Sequence, residues 1–384
     1  MRRSTIVGAG IAGLSTAILL RRSGWGVRVL ERAPEPSPIG SGLLLQPPGL
    51  AVLARMGLLD RMLERGARIT GLDGRTRSGR SVIALDYAAW EPGCYGLGVH
   101  RGALWHLLHE TALAEGVAIE GGVEVTDEGA FRDCDLGLVT AGSRTGLRKA
   151  LGFDDRSHFY EWGALWANVP MPPGWNGDTL AQRFDGTRRM MGMMPVGRDG
   201  SGNGPWLTMF WSTPLDAIEA LKERGWKAWR DDVRGHWPEA HAATECLDGF
   251  GALSTAAYAD VRVTPLSRGH IALAGDAAHG TSPQLGQGAT LALMDAEALC
   301  KALETGHDVP RALEAYAGSR RDHVAYYQWA SRMLTPFFQS RGRVLGWLRD
   351  GFMGYSAGWP YVGTETLATL TGHKTGILRG RLRP

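Results

Sequence analysis

Three glycines near the amino terminus have the spacing of a phosphate-binding turn. Gly8, Gly10 and Gly13 follow the apolar run 4–7 and open a stretch with helical periodicity. In such a turn the first glycine permits a tight bend, the second admits a pyrophosphate, and the third lets the helix pack against its strand. The amides and partial positive charge at a helix amino terminus attract phosphate. The sequence therefore predicts a dinucleotide site, and Ala12 belongs to the same motif.

A carboxylate stands where such a site needs one. Glu31 closes the second apolar run, 27–30, and Arg32 follows it. A carboxylate at the end of the second strand can accept hydrogen bonds from the hydroxyl groups of an adenosine ribose. We assign Glu31 and Arg32 to the predicted site. The unit serves FAD and NAD alike, so this motif does not choose between them.

A second glycine-rich segment decides between the two cofactors. Residues 275–295 read GDAAHGTSPQLGQGATLALMD. With the first motif, this segment resembles the FAD-dependent aromatic hydroxylases, flavoprotein monooxygenases typified by para-hydroxybenzoate hydroxylase, and the resemblance covers roughly residues 4–330. It implies that an aspartate binds the ribityl chain of FAD and that a proline and glycines lie against the isoalloxazine ring. The contacts implied here are Gly275, Asp276, Pro283, Gly286, Gln287 and Gly288.

Two further segments match the same family. The pair at 100–101 precedes a helical pattern, and the resemblance implies that Arg101 reaches the FAD pyrophosphate, for which a guanidinium group is well suited. Residues 40–46 resemble the family segment that runs beside the ring, with Gly42 and Gln46 as contacts. We interpret His279, next to the aspartate motif, as a support for its loop.

Two residues depart from the family pattern. Ala141 replaces the acid of the segment TAGSRTGLR at 140–148, where the family meets both FAD and the nicotinamide nucleotide. Thr290 stands where the family usually has asparagine. The first departure leaves open a flavin oxidase, dehydrogenase or halogenase-like relative. A non-catalytic FAD-binding protein is a third alternative, against which the intact loop 275–288 speaks.

The activity implied by the resemblance is a monooxygenase reaction. We expect an FAD-dependent enzyme that hydroxylates (or epoxidises) an aromatic or polycyclic small molecule, with O₂ as oxidant and NAD(P)H as electron donor. The flavin carries the oxygen chemistry and the protein binds, orients and excludes water. We therefore nominate no catalytic side chain.

The elements needed to position these residues indicate an α/β fold. We predict a Rossmann-type FAD-binding domain (1–69, 97–155 and 262–330), an inserted, mainly antiparallel β substrate domain (70–96 and 156–261), and a helical C-terminal segment (331–384). Strand-like runs lie at 123–125 and 136–139, which we assign to the first sheet. Further strands are predicted at 164–169, 189–195 and 206–211, a hairpin at 70–87, and helices at 214–224 and around 228–236.

The predicted substrate domain is rich in residues suited to a flat apolar ligand. Methionine and tryptophan offer polarisable area, but alternation along a strand does not tell which half faces the flavin. Leu165 and three arginines at 183, 188 and 189 are weaker candidates. The predicted wall residues are Trp162, Met191, Met193, Phe210 and Trp211.

Composition excludes several other classes of function. The 384 residues carry a net charge of only +3, and the basic residues are scattered, so neither nucleic acid nor a membrane is expected as a partner. The four cysteines lack a CxxC pair and the histidines are isolated, so we expect no metal site. We expect the cysteines to be reduced thiols in a cytoplasmic protein. A monomer or a homodimer is compatible with these features.

Overall fold

The computed structural model describes residues 1–37, 42–342, 344–356, 359–377 and 380–382. Its strands are β1 (Arg3–Val7), β2 (Gly26–Glu31), β3 (Gly42–Leu45), β4 (Ala67–Ile69), β5 (Gly71–Thr76), β6 (Ser81–Asp86), β7 (Gly96–His100), β8 (Ala118–Gly121), β9 (Leu136–Val139), β10 (Asp154–Asp155), β11 (His158–Pro170), β12 (Thr179–Asp185), β13 (Arg189–Gly197), β14 (Trp206–Pro214), β15 (Ser254–Asp260), β16 (Val263–Thr264), β17 (Ser267–Arg268) and β18 (Ile271–Leu273).

The helices carry the ligand-facing turns and cover the sheets. They are α1 (Ile11–Arg22), α2 (Pro47–Arg55), α3 (Leu59–Leu63), α4 (Arg101–Ala114), α5 (Leu147–Ala150), α6 (Ile218–Glu223), α7 (Trp226–His236), α8 (Pro238–Ala243), α9 (Asp276–His279), α10 (Gly288–Glu304), α11 (Val309–Phe338), α12 (Val344–Ser356) and α13 (Pro360–Leu370).

The first sheet has six strands in the order β17-β18-β9-β1-β2-β8. All neighbours pair in parallel except β17 and β18. Every residue of β9 and β18 is buried, as expected for a parallel sheet that is covered on both faces. Helices α1, α4 and α10 pack in this core through Leu14, Leu104 and Leu299. The predicted α/β architecture is confirmed.

The strand predicted at 123–125 is wrong. The pairing with β2 is made by β8, which ends at Gly121. Gly122 then adopts a left-handed conformation with φ of +75° and turns the chain out of the sheet. The amide of Val123 still donates to the Glu31 carbonyl, 2.9 Å away. The prediction at 123–125 followed an apolar pattern that lies two to four residues beyond the end of β8.

The second sheet has seven strands in the order β15-β11-β14-β13-β12-β5-β6. All neighbours pair antiparallel except β12 and β5. The strands predicted at 164–169, 189–195 and 206–211 lie within β11, β13 and β14, and the hairpin at 70–87 contains β5 and β6. Strands β12 and β15 were not predicted, because their short polar and small residues show no clear alternation.

The two faces of the second sheet are covered by different elements. On one face, Leu165, Met193 and Trp211 pack with residues of α6, α7 and α8; we call this the outer face. On the other, Ala164, Met194 and Phe210 share a cluster with residues of β3 and the end of α11; we call this the inner face. The sheet is thus buried on both sides.

One helix connects the two sheets. Helix α11 has 30 residues. Near its start the Tyr316 hydroxyl donates to the Leu273 carbonyl in the first sheet, at 3.0 Å. At its end Phe338 packs into the inner-face cluster. Helices α12 and α13 follow, so the predicted helical C-terminal segment is confirmed. Among the described helices, none combines the length and apolar character needed to cross a membrane.

Candidate active site

The amino-terminal turn contains two glycines that its own packing requires and one that faces open space. A Cβ on Gly8, where φ is +108°, would lie 2.7 Å from the Thr140 carbonyl oxygen, and one on Gly13 would lie 2.0 Å from the Gly8 oxygen. The Thr140 hydroxyl also donates to the carbonyls of Val7 (3.0 Å) and Gly8 (2.9 Å). A Cβ on Gly10 would meet no atom within 4 Å. A ligand can therefore approach the backbone at Gly10.

The carboxylate of Glu31 lies beside this turn. Its Oε2 accepts from the amide of Ala9 at 2.8 Å, and its Oε1 accepts from the amide of Ala33 at 3.1 Å. Arg32 is exposed. From the other side the Trp105 indole donates to the Ala9 carbonyl at 2.8 Å. Because a carboxylate offers about four acceptor positions, Glu31 can hold the turn and still accept from a ligand.

The two glycine motifs meet in space. Gly275 has φ of +60°, donates its amide to Asp295 Oδ2 at 2.8 Å, and a Cβ on it would lie 2.8 Å from Ala12 Cβ. Asp276 is exposed, and its Oδ1 lies 3.8 Å from where a Cβ on Gly288 would be. The carboxylate therefore stands at the amino terminus of α10. Buried Ala12 is part of the contact between the motifs.

Gln46 is buried next to the glycine turn that precedes α10. Gly286 adopts a left-handed conformation with φ of +61°, and a Cβ there would lie 3.9 Å from Gln46 Nε2 and 3.8 Å from Leu44 Cβ. Gln46 Oε1 accepts from the Tyr87 hydroxyl at 2.7 Å, and the backbone N–H of Gln46 donates to Thr290 Oγ1 at 3.0 Å. Thr290, the departure from the family pattern, thus joins α10 to the start of α2.

Gly42 is in close contact with the second sheet. A Cβ on Gly42 would lie 2.6 Å from Val196 Cγ1 and 2.7 Å from Thr208 Oγ1. Only a glycine lets β3 approach β13 and β14 this closely. Gly40 and Ser41, which belong to the same predicted segment, lie outside the described residues.

The side chain of Gln287 is directed away from this turn. Its Nε2 donates to the Leu370 carbonyl at 3.1 Å and lies 3.5 Å from the Thr369 carbonyl. A side-chain contact to a ring on the other side does not fit this geometry, so Gln287 links the turn to the end of α13. Pro283 begins a 3-10 turn in this loop and is half-buried.

Arg101 is exposed at the first position of α4. The residue before it, His100, caps this helix, since its Nδ1 accepts from the Gly102 amide at 3.1 Å. His100 Nε2 also lies 2.8 Å from Asn168 Nδ2, and Asn168 Oδ1 accepts from the Thr208 hydroxyl at 2.5 Å. The helix that presents Arg101 is thereby fixed to β11 and β14 of the second sheet.

A buried charged network lies behind the aspartate motif. Asp295 Oδ2 accepts from Gly275 and contacts His279 Nε2 at 2.5 Å, while its Oδ1 accepts from Arg320 Nε at 2.8 Å. Arg320 Nη1 lies 3.1 Å from His323 Nδ1, and His323 Nε2 lies 3.1 Å from the Gly372 carbonyl oxygen. The network joins α9, α10, α11 and the segment after α13. The contact of His279 agrees with its expected supporting role.

The charges in this network shift two pKa values. Burial favours the neutral acid of Asp295, but the charges of His279 and Arg320 outweigh it and hold the pKa of Asp295 well below its usual value. Burial, together with the Arg320 charge, lowers the pKa of His323 to about 3. The sequence did not single out either Asp295 or Arg320. The one sequence signal for Asp295 is its place at the end of the matching segment 275–295. Arg320 belongs to no motif, so no sequence signal indicates it.

The segment with Ala141 is fixed by a buried arginine. Arg148 donates to the Ser143 carbonyl at 2.9 Å and to Asp155 Oδ2 at 2.9 Å, and its Nη1 lies 3.4 Å from the Ala277 carbonyl oxygen. Burial raises the pKa of Asp155, but hydrogen bonds from Ser157 and Arg148 outweigh this and leave it lowered. The loop keeps its attachment to α9 without the acid that Ala141 replaces.

The second sheet divides the predicted wall residues between its faces. Met191, Met193 and Trp211 belong to the outer-face cluster and pack against helices, so a wall role on the inner side does not fit their placement. Phe210 lies on the inner face. Trp162 lies on β11 two residues before Ala164, with the Arg341 guanidinium 6.0 Å from its ring. Because both faces are apolar, alternation alone gave no way to choose between them.

The weaker candidates also lie away from the inner face. Leu165 belongs to the outer-face cluster. Arg183 lies 4.6 Å from the Trp237 ring and Arg189 lies 5.1 Å from the Trp211 ring. Arg188 donates to a backbone carbonyl of the segment that follows α11. The residues that sequence reasoning missed on the inner face are Trp166, Met194 and Tyr258.

The described residues contain no group of three or more histidine, cysteine, aspartate or glutamate side chains placed to hold a metal ion. The geometry instead fits an extended dinucleotide. The groups suited to one are an open backbone position at Gly10, a carboxylate beside the same turn, an exposed arginine at one helix start and an exposed aspartate at another.

Comparison with known proteins agrees with this geometry. The family described as FAD binding domain matches residues 3–132 and 138–328. The chain is 28% identical over 349 residues to 6-hydroxynicotinate 3-monooxygenase of Pseudomonas fluorescens, covering 85% of this chain and 89% of that protein. It is 28% identical over 363 residues to 3-amino-4-hydroxybenzoate 2-monooxygenase of Streptomyces cremeus, covering 88% and 87%.

Solved structures share the fold. HpxO of Klebsiella pneumoniae, complexed with FAD and uric acid, superposes with a TM-score of 0.78 at 23% identity and 97% coverage of each chain. The tetrameric form of 2-methyl-3-hydroxypyridine-5-carboxylic acid oxygenase gives a TM-score of 0.76 at 22% identity, covering 92% of this chain and 97% of that one. Since the family match spans most of its length, the chain belongs to the FAD binding domain family, and FAD is its cofactor.

Proposed function

We propose that this protein is an FAD-dependent monooxygenase that hydroxylates (or epoxidises) an aromatic small molecule with NAD(P)H as electron donor. The observation that carries the proposal is the contact between the two glycine motifs at Ala12 and Gly275. The apolar inner face of the second sheet lies next to the loop 280–287 that follows Gly275. For hydroxylation the balance is substrate–H + O₂ + NAD(P)H + H⁺ → substrate–OH + H₂O + NAD(P)⁺. FAD, when bound, supplies the transfer of electrons and the activation of oxygen.

The residues proposed to hold FAD follow its length from adenosine to ring. The Gly10 backbone and Arg101 bind the pyrophosphate, Glu31 accepts from the ribose, and Asp276 accepts from the ribityl hydroxyls. The α10 amino terminus attracts negative charge at the ring. The full proposed set is Gly8, Gly10, Ala12, Gly13, Glu31, Arg32, Gly42, Gln46, Arg101, Gly275, Asp276, Pro283, Gly286, Gln287 and Gly288. Of these, Ala12 and Gly13 act through packing, and Gln287 acts through its hydrogen bond to the end of α13.

The substrate is proposed to lie between the loop at Pro283 and the inner face. Phe210, Trp166 and Tyr258 offer aromatic surface there, and the Trp166 indole donates to the Tyr258 hydroxyl at 3.0 Å. The protein orients the ring and excludes water. The names of the relatives support a planar, electron-rich ring, since they act on hydroxynicotinate and aminohydroxybenzoate.

The electron donor is proposed to dock beside the Ala141 segment. A shallow cavity of about 210 Å³ is lined there by Ser143, Arg144, Lys149, His158 and Phe159 among others. The two cations favour the phosphates of a nicotinamide nucleotide even without the family's acid. Lys149→Glu is expected to raise the KM for NADPH about tenfold and leave the Kd for FAD unchanged. An unchanged KM for NADPH would exclude this docking place.

The test of the proposed function is anaerobic mixing of the purified holoprotein with NADH or NADPH, with and without candidate aromatic substrates. Bleaching of the flavin, followed on admission of ¹⁸O₂ by a product that carries one labelled oxygen, is the expected result. Reduction by a substrate but by neither nucleotide would overturn it in favour of an oxidase or dehydrogenase. Asp276→Ala is expected to weaken FAD binding at least about tenfold; normal binding would refute the ribityl assignment.

Three sequence-based expectations accompany this proposal. The domain limits are 1–69, 97–155 and 262–330 for FAD, and 70–96 and 156–261 for the substrate. The protein is expected to be a cytoplasmic monomer or homodimer. Limited proteolysis of the holoprotein tests the domain limits, light scattering tests the oligomeric state, and cell fractionation tests the location.

A further inference from the structure

A cleft lies at the end of the first sheet where its parallel strands begin, opposite to the proposed FAD site. The glycine turn follows the carboxyl end of β1, whereas Arg2 stands just before its amino end. The cleft has a volume of about 290 Å³, which corresponds to about ten water molecules at ~30 Å³ each. Its lining residues are Arg2, Leu20, Ser23, Gly24, Trp25, Cys300, Leu303 and Glu304. None of them belongs to the proposed FAD site, so the cleft is a separate place on the molecule.

The floor of the cleft is apolar and uncharged. It is formed by the buried residues Leu20, Trp25, Cys300 and Leu303, which come from α1, the turn after it, and α10. Burial, together with the charge of Glu304, raises the pKa of the Cys300 thiol, so this thiol is neutral at neutral pH. Apolar walls with a few polar groups around them are typical of small-molecule sites. The floor is therefore suited to an apolar group of a ligand.

The turn between α1 and β2 places two opposite charges at the rim of the cleft. The Arg2 guanidinium lies 5.6 Å from the centre of the Trp25 ring, and Glu304 Oε1 accepts from the Ser23 hydroxyl at 3.1 Å. Because Ser23 and Trp25 are two residues apart, these contacts fix both charges beside one turn. Arg2 and Glu304 are exposed, and in the described part of the chain neither forms an ion pair. Both charges can therefore bind a ligand.

Two helices end at the cleft and add to the negative charge of Glu304. Helix α1 ends at Arg22, next to Ser23, and helix α10 ends at Glu304 itself. The carboxyl end of a helix carries a partial negative charge, which favours a cation nearby. A ligand with only a negative charge would be repelled on this side, and a ligand with only a positive charge would be repelled by Arg2. A zwitterion is attracted by both.

We infer that this cleft binds an α-amino acid with an apolar side chain. The ligand's carboxylate accepts hydrogen bonds from the Arg2 guanidinium, and its ammonium group donates to the Glu304 carboxylate. Its side chain lies against the floor at Trp25 and Leu303. The inference goes beyond the proposed function, because the cleft contains no residue of the FAD site and none of the substrate site.

Binding of three matched probes to the holoprotein, measured by isothermal titration calorimetry, tests the inference. The probes are L-leucine, 4-methylpentanoate, which lacks the ammonium group, and 3-methylbutylamine, which lacks the carboxylate. All three are aliphatic, so they are poor ligands for a site that takes an aromatic ring. The wild type is expected to bind L-leucine about fivefold tighter than either analogue, because each analogue leaves one rim charge without its partner.

Substitutions at the rim locate the binding. Arg2→Gln and Glu304→Gln are each expected to weaken L-leucine binding about fivefold, with FAD content and Tm close to those of the wild type, since both side chains are exposed. Arg3→Gln and Glu314→Gln make the same chemical changes at exposed residues outside the cleft and should leave the Kd unchanged. No binding of L-leucine, equal binding of either analogue, or an unchanged Kd in either rim variant overturns the inference. None of these outcomes concerns flavin reduction or oxygen incorporation, which test the proposed function separately.

Discussion

The turns of the first sheet and the inner face of the second sheet present their chemistry by different means. Around Gly10 and Gly286 the groups that face a ligand are backbone amides, and small residues clear the space in front of them. On the inner face, the groups are side chains of Trp162, Phe210 and Tyr258, which come from three different strands. A change in the first region acts on the backbone, whereas a change in the second alters one wall of a pocket.

The two regions also differ in what fixes them. The glycine turns are supported from behind by the buried charges of Asp295 and Arg320. The second sheet is supported by an apolar cluster on its outer face, with Met193 and Trp229 fully buried. We therefore expect removal of a buried charge to destabilise the first region, and removal of buried side-chain volume to destabilise the second.

The largest effect is expected from removing the charge of Asp295. Asp295→Asn leaves Arg320 buried without its counter-charge, and breaking a buried ion pair in this way costs about 3–5 kcal/mol. The free energy of unfolding in urea measures it, with loss of FAD as a second readout. Glu297→Gln, on the same helix but bridging the more exposed Arg55, is the control and should cost less than about 1 kcal/mol. Equal effects would show that the network has no special role.

A pair of neighbouring methionines tests the assignment of the two faces. Met193→Ala opens a cavity in the outer cluster and is expected to lower the free energy of unfolding by about 2–5 kcal/mol, without changing substrate affinity. Met194→Ala, on the inner face, is expected to weaken substrate binding about tenfold. Urea unfolding and substrate titration of both variants decide the matter. If Met193→Ala changed affinity and Met194→Ala did not, the faces would be exchanged.

Two glycines in the same turn separate packing from ligand access. Gly13→Ala places a Cβ 2.0 Å from a carbonyl oxygen and is expected to destabilise the protein by about 1–3 kcal/mol. Gly10→Ala meets no atom, so the stability of the apoprotein should change by less than about 0.5 kcal/mol while the Kd for FAD rises about tenfold or more. Gly318→Ala, with equal space on α11, is the control for FAD affinity, which it should leave unchanged; its stability is expected to rise by up to about 1 kcal/mol, because alanine favours a helix interior. Normal FAD affinity in Gly10→Ala would contradict the proposed approach of the pyrophosphate.

The smallest effect concerns the dependence of stability on pH. The pKa of His323 is lowered from 6.5 to about 3, so the fold favours the neutral imidazole, and stability is lost as pH falls from about 6.5 towards 3. Between pH 6.5 and pH 5 this amounts to about 1.5 kcal/mol. His323→Gln cannot titrate, so its free energy of unfolding should fall by less over the same interval. Parallel curves for the two proteins would exclude this contribution.

The sequence predicted the first region better than the second for a physical reason. Gly8, Gly13 and Gly275 are constrained by contacts within a few residues or by a backbone conformation, and both leave a local motif. The face of Met191 or Trp211 depends on which helices cover the sheet, and no local pattern records that. The direction of the Gln287 side chain likewise depends on α13, more than eighty residues away.

The length of α11 has a consequence for how related chains can vary. Its start is attached to the first sheet through Tyr316, and its end carries Thr335 and leads to Gln339. Inserting one residue between these points would turn the end of the helix by about 100° and advance it by about 1.5 Å. Thr335 and Gln339 would then leave the sheet. Insertions and deletions among relatives are therefore expected in the surface loops, such as 199–205, and not between Tyr316 and Thr335.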